Sequence, residues 1–459
     1  MLYVRGDAGF DEAVVHRIFN RRLPERVPAA VLVVGSEHDV VRGVRLARER
    51  GWTVAVRSGG HSWAQWSVRD DALVLDLAAL DDATYDDATG IVSAGPAIKG
   101  GSTLGPFLAE KGRFFPGGHC PTVGIGGFLL QGGQGYNARG WGWGAEWIEA
   151  IDVVTAAGDL VRASESENAD LFWAARGAGP GFFGVVTRFH LRTMPHPGYV
   201  ATTVQVLPLD CFVDVMTWLH ETHHTVADTV EIVALTKTDP AIAPGPVLVV
   251  TGLALVDTPD QADAALAPFR GNPCLDRALV LHDAVPASIE DHRVDQLLAN
   301  PEGHRWAVDN AWITGPAGSV VAAMTRAYTT LPNDKAFTIW FSMAPVRDLP
   351  DMAFSMQSEI YLAAYNLWED PADDAANIGW LDSVMADLEP VTVGQYLGDS
   401  DLSRRQVKFM SDANWARLQR IRAERDPDGL FVGYLAGPEG ALNRNHWDDL
   451  RTSGGVAPR

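Results

Sequence analysis

The sequence predicts a two-domain α+β protein, and three observations predict it. At 459 residues the chain is longer than one compact core comfortably holds. Its N-terminal part alternates short β-rich runs with helical stretches. Composition then shifts at 194–198, Met-Pro-His-Pro-Gly, a junction after which apolar strand runs mix with helices.

Taken in order, residues 30–34 (AVLVV) read as a strand, and Ser36 caps a helix running to Arg50. Val40, Val41 and Val44 form its apolar face and Gly51 stops it. Residues 53–57 (TVAVR) form the next strand, which runs straight into the tight loop Ser58-Gly59-Gly60-His61. Further strands fall at 73–76 and 91–94, a helix at 103–111 closed by Gly112, and a hairpin at 151–155 and 160–162 around Gly158. Beyond the junction, 210–224 reads as a helix and 247–250 and 337–341 as strands. Residues 413–425 form a helix with Trp415, Leu418 and Ile421 on one side, stopped by Asp426-Pro427-Asp428-Gly429. There is no internal repeat.

A net charge of −21 argues against nucleic acid and anionic membranes as partners, since both need a basic footprint. No stretch approaches the roughly 20 apolar residues of a membrane helix. The N-terminus lacks the basic and apolar regions of a secretory signal, so a cytoplasmic location is expected. Cys120, Cys211 and Cys274 are widely spaced, which disfavours a disulfide framework or structural zinc, and His119-Cys120 are poor co-ligands for any metal. Oligomeric state is not legible.

The segment 117–144, GGHCPTVGIGGFLLQGGQGYNARGWGWG, is dense in glycine. Such density persists where backbone turns sharply or approaches something closely. Val123, Ile125, Phe128, Leu129 and Leu130 are not linker residues. The loop Arg57-Ser58-Gly59-Gly60-His61-Ser62 follows a strand and offers amides suited to a phosphate-bearing group. Gly179-x-Gly181-x-x-Gly184 matches the dinucleotide fingerprint literally, but a helical DLFWAAR precedes it and a strand VVTRFHL follows. That is the wrong context for a Rossmann turn.

Together, a strand ending in RSGGH, then GGHCPTVGIGG, then DLFWAARGAGPGFFGVVT resemble the FAD-binding domain of the vanillyl-alcohol oxidase / p-cresol methylhydroxylase superfamily. The match is nearest its berberine bridge enzyme-like branch. It is strong over 25–195 and moderate over the C-terminal fifty residues; the middle matches only in length and style. The resemblance implies a p-cresol methylhydroxylase-type fold. Residues 1–197 and 400–459 would form the FAD-binding domain, and 198–399 a substrate domain with an antiparallel sheet over the flavin.

It further implies that FAD is held by two covalent bonds, from His61 to the flavin 8α-methyl and from Cys120 to its C6 carbon. Two links fix the ring within the tolerance hydride transfer demands. Arg57, Ser58, Gly59, Gly60 and Ser62 are expected around the cofactor, with Ser58, Gly59 and Gly60 at the pyrophosphate. Gly124, Gly126, Gly127, Gly184, Val185 and Val186 are expected to line its cleft. Val123 occupies the family's oxygen-gating position, where a small valine accompanies oxidases. The base that takes the substrate proton is expected within Gly394-Gln395-Tyr396-Leu397-Gly398-Asp399-Ser400-Asp401, as Tyr396 or Asp399. A tyrosine there needs a nearby positive charge to work at neutral pH. Trp141, Trp143 and Trp147 suit either a stacking wall for a ring or core packing. The implied reaction is hydride transfer to the flavin N5 from an alcohol, sugar, phenolic or amine substrate, with oxygen reoxidising the flavin to give hydrogen peroxide. A dehydrogenase or oxidative cyclase of secondary metabolism shares the same motifs.

Overall fold

The computed structural model describes residues 1–435. Its N-terminal part opens on a four-stranded sheet in the order Leu2–Val4, Ala30–Val33, Ala72–Asp76, Thr53–Arg57. The last three run parallel, which requires crossovers, and the helix Glu37–Arg50 supplies one. Its ends follow the sequence signals: Ser36 Oγ accepts from Asp39 N at 3.3 Å, and Gly51 adopts the left-handed conformation. Val40 and Val44 are fully buried, while Val41 is half-buried.

A five-stranded antiparallel sheet follows, ordered Ala83–Asp86, Ile91–Ala94, Val185–Arg192, Ile148–Val154, Leu160–Ser164. The expected hairpin is its last pair, extended at both ends. The expected helix 103–111 differs. A wide turn at Gly100–Leu104, with Leu104 N bonded to Lys99 O, leads into a short helix Gly105–Ala109. Pro106 has no N–H to give an α ladder there, so the regular helix is short. The junction is tied down, since Met194–Pro195 pairs with Arg113–Phe114.

From Tyr199 the chain builds an eight-stranded antiparallel sheet, the roof. Its order is Val280–Pro286, Tyr199–Pro208, Pro246–Val256, Val230–Thr238, Phe337–Ser342, Ile360–Trp368, Arg305–Ile313, Thr392–Gly394. Strand alternation gives it two faces. Ile232, Ala234, Val250, Ala254, Leu362 and Ala364 turn outward into a core with Phe212, Leu266, Val320 and Leu381, which come from the helices Phe212–Thr222, Pro259–Leu266, Ala317–Thr329 and Asp374–Leu388. The alternate residues face the N-terminal sheets across a cavity.

The helix Asp412–Arg425 then buries Leu418 and Ile421. After it the chain lies back along the first sheet, with Val54 N bonded to Leu430 O at 2.7 Å and Val432 N to Val54 O at 3.0 Å. The polar tail of the sequence lies outside the described residues. No helix among the described residues is long and apolar enough to cross a membrane.

Candidate active site

The space between the roof and the N-terminal sheets is a cavity of about 1190 Å³. Ordinary small-molecule sites run to roughly 1,000 Å³, so this one has room for a large cofactor and a substrate together. Ser58, Gly59, Gly60, His61, Ser62, Cys120, Val123, Gly124, Gly126, Gly127, Gly184, Val186, Tyr396 and Asp399 all line it. Val185 does not, because strand alternation turns it fully into the core. Arg57 reaches the wall, but its guanidinium points away and binds Asp76 Oδ2 at 2.9 and 3.1 Å and the carbonyls of Ala13 and Val14. It anchors the strand end and offers no charge to a ligand.

The two glycine-bearing loops stand back to back. A Cβ on Gly59 would lie 2.6 Å from Gly124 N, so only glycine allows this contact. Gly60 has φ 78°, and a Cβ there would fall 1.7 Å from Arg17 O. The amides of Gly59, Gly60 and His61 donate to no acceptor among the described residues. A side-chain-free wall with unpaired N–H groups fits the pyrophosphate of FAD.

His61 and Cys120 sit half-buried on this wall. The His61 ring stacks on Phe19 at 4.3 Å and hydrogen-bonds the backbone of Thr122, two residues past Cys120. Burial, aided by the Lys99 charge, holds its pKa down to about 4, so the imidazole is neutral and nucleophilic. Burial pushes the Cys120 thiol up; its Sγ lies 3.6 Å from Thr122 Oγ1. A neutral imidazole and a thiol on one wall fit the expected attachment chemistry.

The two candidate bases differ in their surroundings. The Tyr396 hydroxyl accepts from Gly133 N at 3.2 Å and Gln134 N at 3.1 Å. Burial raises its pKa, and the Asp399 charge adds to the rise against those amides. Asp399 instead presents a carboxylate to the cavity. Trp63 Nε1 donates to its Oδ1 at 2.8 Å and Tyr361 Oη to its Oδ2 at 2.5 Å, and Tyr365 also bonds it.

Trp63, Tyr361 and Tyr365 escaped the sequence reading, although Tyr361 and Tyr365 stand four apart on one strand and so share a face. So did a buried pair that joins the roof to the loop carrying Cys120. His119 Nε2 bonds Glu231 at 2.9 and 3.0 Å, and Asn137 N donates to Glu231 Oε2 at 2.7 Å. Burial works to raise the Glu231 pKa, but His119 and the Asn137 amide outweigh it and the carboxylate stays ionised. No local signal links residues so far apart in sequence. Of the three tryptophans, none lines the cavity. Trp143 is fully buried against Phe354, Trp312 and Tyr396, and Trp141 packs edge-on to Phe114. They are core, not a stacking wall.

Fold and site together define an FAD-binding oxidoreductase. Residues 28–164 match a family model described as an FAD binding domain. The chain is 36% identical over 429 residues to the FAD-linked oxidoreductase janO of Penicillium janthinellum, covering 92% of this chain and 94% of that one. The chain belongs to the FAD-linked oxidoreductases. In fold it resembles 6-hydroxy-D-nicotine oxidase from Arthrobacter nicotinovorans, with TM-score 0.83 and 23% identity over 96% of this chain and 98% of that one. It also resembles the berberine bridge enzyme-like protein 1 of Physcomitrella patens, with TM-score 0.80 and 20% identity over 97% of each chain.

Proposed function

We propose that this enzyme holds FAD by two covalent bonds, through His61 and Cys120, and oxidises an alcohol or amine with oxygen as final acceptor. The observation that carries this is the Asp399 carboxylate, fixed by Trp63 and Tyr361 on the wall of the same cavity that His61 and Cys120 line. Held by the loop 58–62, His61 and Cys120, FAD would supply a two-electron acceptor for the substrate hydride and a route to reduction of oxygen to hydrogen peroxide.

Asp399 takes the proton from the substrate hydroxyl or amine as the adjacent C–H bond breaks. Tyr361, Tyr365 and Trp63 orient it and leave the carboxylate facing the cavity. Val123 lines the cavity wall, and a small valine at the position the resemblance gives to the oxygen gate supports an oxidase over a dehydrogenase. The roof sheet spans Tyr199–Gly394, which supports a substrate domain at 198–399 between two parts of one FAD-binding domain.

The purified protein is to be acid-precipitated beside His61→Ala, Cys120→Ala and the double variant. Flavin should stay with the pellet in the wild type and both single variants, and leave only the double variant. Colourless wild-type pellet with free flavin would sink the two-bond reading. Peroxide formed mole for mole with product is the expected turnover signature.

A further inference from the structure

The roof's cavity face narrows the substrate class. The strand register lines up Val204, Thr251, Val233, Phe341 and Tyr361 across five strands. At the usual strand spacing this row is roughly 20 Å long, and it ends at Tyr361, which holds Asp399. The neighbouring row reads Val249, Leu235, Ile339, Ala363. Among the described residues that line the cavity from this sheet none is Asn, Gln or Arg, and its charged members, Glu231 and Lys237, stand in the rows on either side of these two, Glu231 already bound by His119 and Asn137 N. Its two central threonines spend their hydroxyl protons on the backbone, Thr251 Oγ1 on Val233 O and Thr202 Oγ1 on Gly252 O, so neither donates to a ligand. Lys237 and Lys335, by contrast, sit at strand ends and stay nearly half exposed.

A sugar brought under such a surface would lose its water and gain few hydrogen bonds, a cost that grows with every hydroxyl. An apolar ring system gains by the same burial. We propose, resting on Asp399 as the reacting end, that the substrate is a bulky, predominantly apolar molecule carrying one oxidisable hydroxyl or amine, and not an oligosaccharide. Its polar group sits at Asp399 and its apolar body runs under the roof along the two rows.

Nile red, a neutral apolar dye, tests this on the FAD-loaded enzyme. The dye should brighten on binding. Leu235→Asn and Ile339→Asn, both on half-buried cavity positions, should weaken it at least about tenfold with flavin content unchanged. Val233→Thr, which keeps the shape and adds a hydroxyl, should weaken it severalfold and guards against misfolding of the asparagine variants. Xylobiose in large excess should leave the dye bound and the flavin oxidised without air. The proposal is overturned by a dye that does not bind, by binding indifferent to all three variants, or by xylobiose displacing the dye and bleaching the flavin. Failure of the covalent-flavin reading would appear separately, as FAD lost from the acid pellet, since dye binding does not require the bonds.

Discussion

At the scale of single residues the site turns on which oxygen is free to take a proton. The Tyr396 hydroxyl is turned to two backbone amides, so its role is to hold the loop at Gly133 and Gln134. Asp399 has donors on both oxygens and a face left to the cavity. Asp399→Asn is therefore expected to slow anaerobic flavin bleaching by substrate about a hundred- to ten-thousand-fold, with flavin content intact. Tyr396→Phe leaves two buried amides unpaired, a cost of roughly 1–3 kcal/mol in stability for each, yet should slow bleaching far less. Stopped-flow bleaching beside thermal melts separates the two. A larger rate loss in Tyr396→Phe than in Asp399→Asn would return the base assignment to Tyr396. The resemblance pointed to the stretch 394–401 and, within it, to Tyr396 or a carboxylate such as Asp399. It could not rank them, because Trp63 and Tyr361 reach Asp399 from remote parts of the chain.

At the scale of elements, the cradle depends on two loops touching through their backbones. Gly59→Ala would push a methyl against Gly124 N at 2.6 Å, where no side chain can give way. Gly127→Ala meets nothing within 4 Å. The first is expected to lose most of its flavin during expression and the second to load normally, read from the flavin-to-protein absorbance ratio. Equal loading would mean the loops separate without harm to the cofactor. Legibility follows the same division of labour. The helix Glu37–Arg50 and the strand Thr53–Arg57 were readable because cap, stop and apolar face are local. The roof was not. Strands such as Ile360–Trp368 are buried along their whole length, so no alternation marks which face meets the cavity. The wide turn before Gly105–Ala109 was hidden too, since a helical pattern does not tell an α ladder from a wider one.

At the scale of the whole molecule, roof and floor are pinned together by Arg139 of the glycine-rich segment. Its guanidinium, fully enclosed, donates to the carbonyls of Ala344, Ala227, Val230, His223 and Val226. His223 at this pin is buried, with Nδ1 2.8 Å from Ser342 Oγ. Burial, then the neighbouring His220, His224 and Arg139, presses its pKa down to about 3. In the unfolded chain a histidine titrates near 6.5. Between those two values the unfolded chain binds a proton that the folded chain refuses, so stability falls as pH falls from about 6.5 and recovers as pH rises. His61, held to about 4, adds the same sign while its imidazole is free. The paired carboxylate Asp152, lowered to about 2, exerts its effect mainly at more acid pH. The melting temperature should therefore drop between pH 6.5 and 4.5, and His223→Gln, which keeps a partner for Ser342, should flatten that slope. A slope unchanged in the variant would move the acid sensitivity away from the pin. A flattened slope would assign that share of the acid sensitivity to the buried His223 beside the Arg139 pin.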